Sequence, residues 1–66
     1  MKIWFDKDEV NLETGSTIDD FLKQFRIDTS GSALVLNEVI CPKGDWDKTI
    51  LNEEDRISVF KVIAGG

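Results

Sequence analysis

A single segment of this chain carries the period of a helix. Ile18, Phe21, Leu22 and Phe25 fall at i, i+3, i+4 and i+7, which is one face of one amphipathic helix. The runs on both sides of it are short and rich in β-formers. One helix of this kind cannot bury its apolar stripe against another helix, so it has to find a sheet to lie on.

The flanking segments supply the sheet. Met1 to Asp6 opens the chain with β-formers. Glu9-Val10-Asn11-Leu12-Glu13 alternates polar and apolar at period two, as a half-buried strand does. The polar turn Asp6-Lys7-Asp8 joins them into a hairpin. Thr14-Gly15-Ser16-Thr17 then breaks the alternation. Ser16 or Thr17 is placed to cap the helix, with Asp19 and Asp20 near its positive end and Lys23 and Arg26 near its negative end. The helix should stop around Arg26, and Asp28-Thr29-Ser30-Gly31-Ser32 reads as a polar connector.

Beyond it, Ala33-Leu34-Val35-Leu36 predicts a third strand, and Asn37-Glu38 a tight turn. Val39-Ile40-Cys41 is a short strand that Pro42 ends. Lys43-Gly44-Asp45 reads as a loop, with Trp46, Ile50 and Leu51 anchoring an irregular stretch. Asn52-Glu53-Glu54-Asp55 is an acidic turn, and Arg56 to Val62 is a clear last strand. The pattern is α+β: a mixed sheet with one amphipathic helix across one face. It should bury Ile3, Phe5, Val10, Leu12, the helix face, Ile57 and Val59. If the first and last strands lie side by side and parallel, the fold is a β-grasp. The expected organisation is one domain over residues 1–62 and a flexible C-terminal tail over 63–66.

Composition narrows the function. A domain of 66 residues buries only ~60% of the surface its unfolded chain exposes, so no large catalytic cleft can be carved from it. Thirteen acidic against eight basic residues leave a net charge of −5, which disfavours a nucleic-acid backbone. An acidic surface instead steers the domain toward a basic patch on another protein, or simply keeps it soluble. Histidine is absent, which argues against a hydrolase or a zinc site. No apolar run approaches the ~20 residues that span a bilayer, and the opening shows no basic region followed by an apolar stretch, so no signal peptide is expected. The lone Cys41 cannot form an internal disulfide. Together these point to the cytoplasm, with no membrane partner.

The chain ends on Gly65-Gly66 directly after a strand. A final strand needs no such ending, because glycine costs ordering entropy and packs nothing. Two residues without side chains can thread a narrow channel in a partner and bring a terminal carboxylate to its active site. That carboxylate, whose pKa in short peptides is ~3.5, is ionised and a poor electrophile. ATP can activate it as an acyl-adenylate, from which a nucleophile displaces AMP. A sulfur donor then gives a thiocarboxylate, and an amine gives an isopeptide. The plain alternative is a frayed terminus.

The element order, the length, the opening Met1-Lys2-Ile3-Trp4-Phe5 and the ending Val62-Ile63-Ala64-Gly65-Gly66 resemble the ThiS family, the sulfur carriers of thiamine biosynthesis. Asn37, Val39-Ile40-Cys41-Pro42 and Trp46 resemble that family's middle motif. Lys43 departs from it where arginine is common, and Cys41 where an aliphatic residue is common. The Gly-Gly end is shared with small subunits of molybdopterin synthase and with ubiquitin, so a molybdopterin-type carrier and a protein modifier stay open, as does an interaction domain with an inert tail.

The resemblance implies a protein cosubstrate that is not an enzyme and binds no cofactor or metal of its own. Gly66 would be adenylated by an E1-like, ThiF-type adenylyltransferase using ATP and magnesium. A cysteine desulfurase or related donor would supply sulfur, and a ThiG-type thiazole synthase would accept it. Gly65 would give access, with Ala64 and Ile63 lining the entry.

Other residues invite functional readings. Cys41 could bear sulfur, but a reactive thiol needs a nearby cation, metal or helix N-terminus, and a lone strand cysteine packs as a small hydrophobe. The pairs Asp19-Asp20 and Glu53-Glu54 sit at a helix start and in a turn, which already accounts for them. If Ile3, Phe5, Ile57 and Val59 face the core, Trp4, Phe60 and Val62 share the uncovered face of the sheet. Exposed aromatics there suit a partner surface, unless loops cover them.

Overall fold

The computed structural model describes residues 1–61. Its order is β1 (Lys2–Phe5), β2 (Asp8–Asn11), α1 (Ile18–Gln24), β3 (Ser32–Leu36), β4 (Val39–Cys41), a 3-10 turn (Lys43–Asp45) and β5 (Arg56–Lys61). The five strands form one mixed sheet in the order β2-β1-β5-β3-β4. β1 and β5 are parallel, with Trp4 opposite Arg56 and Phe5 opposite Ile57. All other neighbours are antiparallel. First and last strands are thus central and side by side, with one helix on one face: the β-grasp arrangement.

The helix forms where the apolar spacing and the cap agree. Thr17 is the N-cap; its hydroxyl accepts from Asp20 N–H at 3.1 Å, and the Asp20 carboxylate accepts from Thr17 N–H at 3.0 Å. This reciprocal box satisfies two donors that a helix start leaves orphaned. The same bond from the Thr17 backbone holds the Asp20 carboxyl below the usual carboxylate range. The helix ends in a Schellman motif. Ile27 N–H reaches back to Leu22 C=O and Arg26 N–H to Lys23 C=O. Arg26 takes the left-handed position, φ 52, that glycine fills most easily.

Ile18, Phe21 and Leu22 drop from α1 onto Ile3, Leu12, Leu34, Leu51 and Ile57, with Trp46 closing one side. Phe5, Val10 and Val59 pack half-buried at the margin of this core. Phe25 does not enter it. As the C-cap it has left helical geometry, so its ring leans on Phe21, with centroids 5.4 Å apart, and stays 45% exposed. Ile50 is likewise exposed, whereas Trp46 and Leu51 are the anchors that the sequence suggests. Residues 43–45 form a 3-10 turn in place of a loop, because Pro42 presets φ −62 at its entry and Asp45 N–H bonds Pro42 C=O. Among the described residues no helix is long and apolar enough to cross a membrane.

Candidate functional site: the open sheet face and the root of the tail

β5 alternates strictly. Ile57 and Val59 point to the helix, so Arg56, Ser58 and Phe60 point to the face that no helix covers. The antiparallel register with β3 places Val35 beside Ser58 and Ala33 beside Phe60, and Ile40 of β4 stands beside Val35. Phe60 is 56% exposed at the end of β5 nearer the tail, and Ile40 is also exposed. A groove of about 320 Å³ runs over this face, lined by Asp6, Val35, Glu38, Arg56, Ser58 and Phe60. Its lining is mixed: Val35 and Phe60 are apolar, Ser58 is polar, and Asp6, Glu38 and Arg56 are charged. The Arg56–Glu38 pair is loose, at 3.8 Å.

Trp4 lies on the same face, in the row of Arg56, and therefore four residues from Phe60 along the strand direction, roughly 13 Å. The two aromatics occupy opposite ends of the face. Trp4 is also engaged. Its indole donates to Glu54 Oε2 at 3.0 Å, and the Lys2 ammonium sits 5.3 Å from its ring centroid while pairing with Glu54 at 3.1 Å. The indole bond, followed by Lys2, lowers the Glu54 carboxyl below its usual range, and the bond to Glu54 raises Lys2. Val62, Ile63, Ala64, Gly65 and Gly66 lie outside the described residues.

The other sequence candidates resolve into structural roles. Asp20 completes the helix cap, and Asp19 pairs with Lys23 at 2.9 Å. Glu53 accepts from Lys2 N–H at 2.9 Å. Cys41 is half-buried against the core, its Sγ 3.9 Å from the Thr49 hydroxyl, and its carbonyl accepts from the Trp46 indole at 2.8 Å. No group of three or more His, Cys, Asp or Glu that could hold a metal occurs among the described residues.

One residue was not legible as special. Asp55 reads as the last member of an acidic turn, yet it is 8% exposed and fully bonded. Its carboxylate accepts from Asn37 Nδ2 at 2.9 Å and from Asn52 N–H at 2.7 Å. The only signal in the sequence is an Asn in a hairpin turn and an Asp directly before a strand.

The ThiS family model matches residues 3–66. The sulfur carrier protein ThiS of Escherichia coli (strain K12) is 35% identical over 66 residues, covering 100% of both chains. The chain belongs to the ThiS family. An uncharacterised protein of Trieres chinensis, ycf40, is 33% identical over 55 residues, 80% of this chain and 75% of its own length. The crystal structure of the thiamine biosynthesis protein ThiS from Geobacter metallireducens superposes with a TM-score of 0.88 over 100% of both chains at 13% identity, which speaks for the β-grasp fold. The family match runs through Gly65 and Gly66.

Proposed function

We propose that this chain is a sulfur carrier of thiamine biosynthesis and that its working group is the carboxylate of Gly66. The observation that carries the reading is the end-to-end match to the Escherichia coli carrier, tail included. In this reading the chain is a protein cosubstrate. A ThiF-type adenylyltransferase binds the open face through Phe60, Val62 and their apolar neighbours, with Trp4 at the far end. ATP and magnesium belong to that enzyme. The Gly66 carboxylate oxygen attacks the α-phosphorus of ATP and pyrophosphate leaves. Nucleophilic sulfur from a cysteine desulfurase or related donor then attacks the acyl carbon and AMP leaves. Where that sulfur is the outer atom of a donor persulfide, the product is an acyl disulfide. Two equivalents of a thiol reductant cleave its S–S bond, the donor leaves as a thiol, and the reductant is oxidised to its disulfide. The thiocarboxylate that remains is consumed by a ThiG-type thiazole synthase. Gly65 gives access to both active sites, because a residue without a side chain enters a narrow channel at low steric cost, and Ala64 and Ile63 line the entry.

In this scheme the tail is chemical and the fold indifferent to it. One added residue moves the carboxylate by up to ~3.6 Å, and misplacement of about 1 Å already costs on the order of 100-fold in rate. Deletion of Gly66, or one alanine added after it, should leave Tm unchanged and abolish ATP–pyrophosphate exchange with the adenylyltransferase. An extended chain that exchanges at wild-type rate without being trimmed would refute the role of Gly66. Intact mass spectrometry of the protein from its own cells should find one terminal oxygen replaced by sulfur, and no isopeptide adducts.

A further inference from the structure

The groove on the open face is centred on Ser58. Arg56 and Phe60 precede and follow it on the same side of β5. β1 and β3 flank β5 on opposite sides. Val35 stands beside Ser58 from β3. Asp6 comes from the end of β1, and its N–H donates to Ile57 C=O at 2.9 Å, which fixes it beside the same stretch of β5. Ser58 therefore has an aliphatic side chain on one side, a carboxylate on the other, and an aromatic ring ahead of it along the strand.

The charges of this groove do not balance internally. Its lining holds two acids and one base. Arg56 has Glu38 as its counter-ion, at 3.8 Å. The Asp6 carboxylate and the Ser58 hydroxyl have no hydrogen-bond or ion-pair partner among the described residues. The turn does not need that carboxylate either. Asp6 holds φ 55, a backbone that asparagine and glycine adopt as readily. An acid that neither the turn nor a neighbour requires thus borders a site whose excess charge is negative, beside apolar area left in water.

We propose that the groove receives one arginine side chain of the activating enzyme. The aliphatic stem lies against Val35. The guanidinium stacks on the Phe60 ring and donates to the Asp6 carboxylate and to Ser58 Oγ. Glu38 offsets the Arg56 charge that would otherwise repel it. Arginine suits the site better than lysine: its planar head stacks on aromatic faces, forks onto a carboxylate and loses less hydration than an ammonium. This rests on the reading that the adenylyltransferase docks on the open face.

Asp6→Asn keeps the shape and the left-handed backbone and removes the charge. In calorimetry with the full-length chain and its adenylyltransferase, it should raise Kd at least about tenfold with Tm unchanged, because the partner's charge loses its counter-ion. Ser58→Ala should raise Kd about threefold. In ATP–pyrophosphate exchange the Asp6→Asn loss should appear in KM for the carrier, with kcat kept. Glu9→Gln removes an equal charge from the strand beside Trp4, outside the groove, and should change Kd less than about twofold. Replacing the enzyme's surface arginines with alanine one at a time identifies the occupant. One such replacement should weaken wild-type binding at least about tenfold and Asp6→Asn binding less than about threefold.

Unchanged affinity of folded Asp6→Asn overturns the proposal. An equal loss in Glu9→Gln also overturns it, since general attraction then suffices. Coupling of Asp6 to a lysine, or to no arginine, does the same. Should Asp6→Asn not fold, Asp6→Gly, which suits φ 55, takes its place under the same expectations. A wild-type chain that does not bind the adenylyltransferase overturns the docking reading and this proposal with it. Wild-type binding with normal affinity of the Asp6 variant overturns this proposal alone.

Discussion

Ile57 and Phe60 are three residues apart on one strand and do opposite work. Ile57 faces α1 and is 0% exposed; Phe60 faces away and is 56% exposed. Both are large and apolar, so hydrophobicity alone does not separate them. The separation comes from the period of a strand, which sends alternate side chains to opposite faces, and from the single helix, which can cover only one of them. The helix face holds the domain together. The open face keeps apolar area in water, a cost that is offset only when something docks there.

Truncating both residues puts this contrast to its most severe test. Ile57→Ala removes a fully buried side chain and should cost about 3 kcal/mol, a large share of the roughly 5–15 kcal/mol by which domains are stable. Thermal or urea unfolding checks it. Phe60→Ala should leave the fold almost untouched and instead weaken binding to the adenylyltransferase by about 2 kcal/mol, as truncating a desolvated aromatic anchor does. Calorimetry on the folded variant reads that loss. Equal effects of the two substitutions on stability would dissolve the distinction between the faces. Unchanged affinity for Phe60→Ala would move the docking site elsewhere.

What the sequence revealed and what it hid follow the same division. The helix-face residues declare themselves by period, and β4 and Pro42 by local chemistry, because each depends on neighbours within a few positions. The cap at Thr17 is legible for the same reason. Phe25 misleads because it continues the period while the backbone has already left the helix. Asp55 misleads because composition marks Asn52 to Asp55 as a solvated turn, and only the partner 18 residues earlier makes the last of them a buried clamp. Trp4 lies on the open face, as alternation requires, but its engagement by Glu54 and Lys2 is tertiary and carries no local signal. The tail is read entirely from sequence and family.

A smaller effect separates turns that serve the fold from turns that serve the surface. Arg26 at the helix end and Glu38 in the β3–β4 turn hold φ 52 and φ 71, where glycine is at ease. Asn37 and Glu38 together, both left-handed, make the two-residue turn in which Asn-Gly is preferred. The Arg56–Glu38 contact that Glu38→Gly would lose is exposed and long, and worth little. Arg26→Gly and Glu38→Gly should therefore each stabilise by about 0.5–1 kcal/mol, the relief of left-handed strain exceeding the extra entropy of the unfolded chain. Arg26→Gly lies away from the groove and should leave binding unchanged. Glu38→Gly alters the groove rim, so any change in affinity at raised Tm would assign that carboxylate to the docking surface.

The smallest effect is electrostatic and distinguishes the two faces by pH. On the open face the Trp4 indole and then Lys2 depress Glu54; on the helix side the Thr17 backbone depresses Asp20. A carboxyl depressed by folding contributes stability above its unfolded pKa and loses it as pH falls through the folded one. With ordinary values of 4.5 for Glu54 and 3.8 for Asp20, both contributions are fully present at neutral pH and fade in acid, Glu54 beginning at the higher pH. Both groups are solvent-exposed, so the amplitudes are small. Trp4→Phe keeps an aromatic ring but removes the indole donor, which lets Glu54 return toward its ordinary range. The variant should melt below wild type at pH 7, and the gap should narrow as pH drops below 4.5. For Asp20→Asn, which removes the capping carboxylate, the gap should narrow only below 3.8. Melting curves across this range check the order. A Trp4→Phe gap that stays constant into acid would mean that Trp4 stabilises the open face by packing alone, leaving its indole free to be a partner's hydrogen-bond donor.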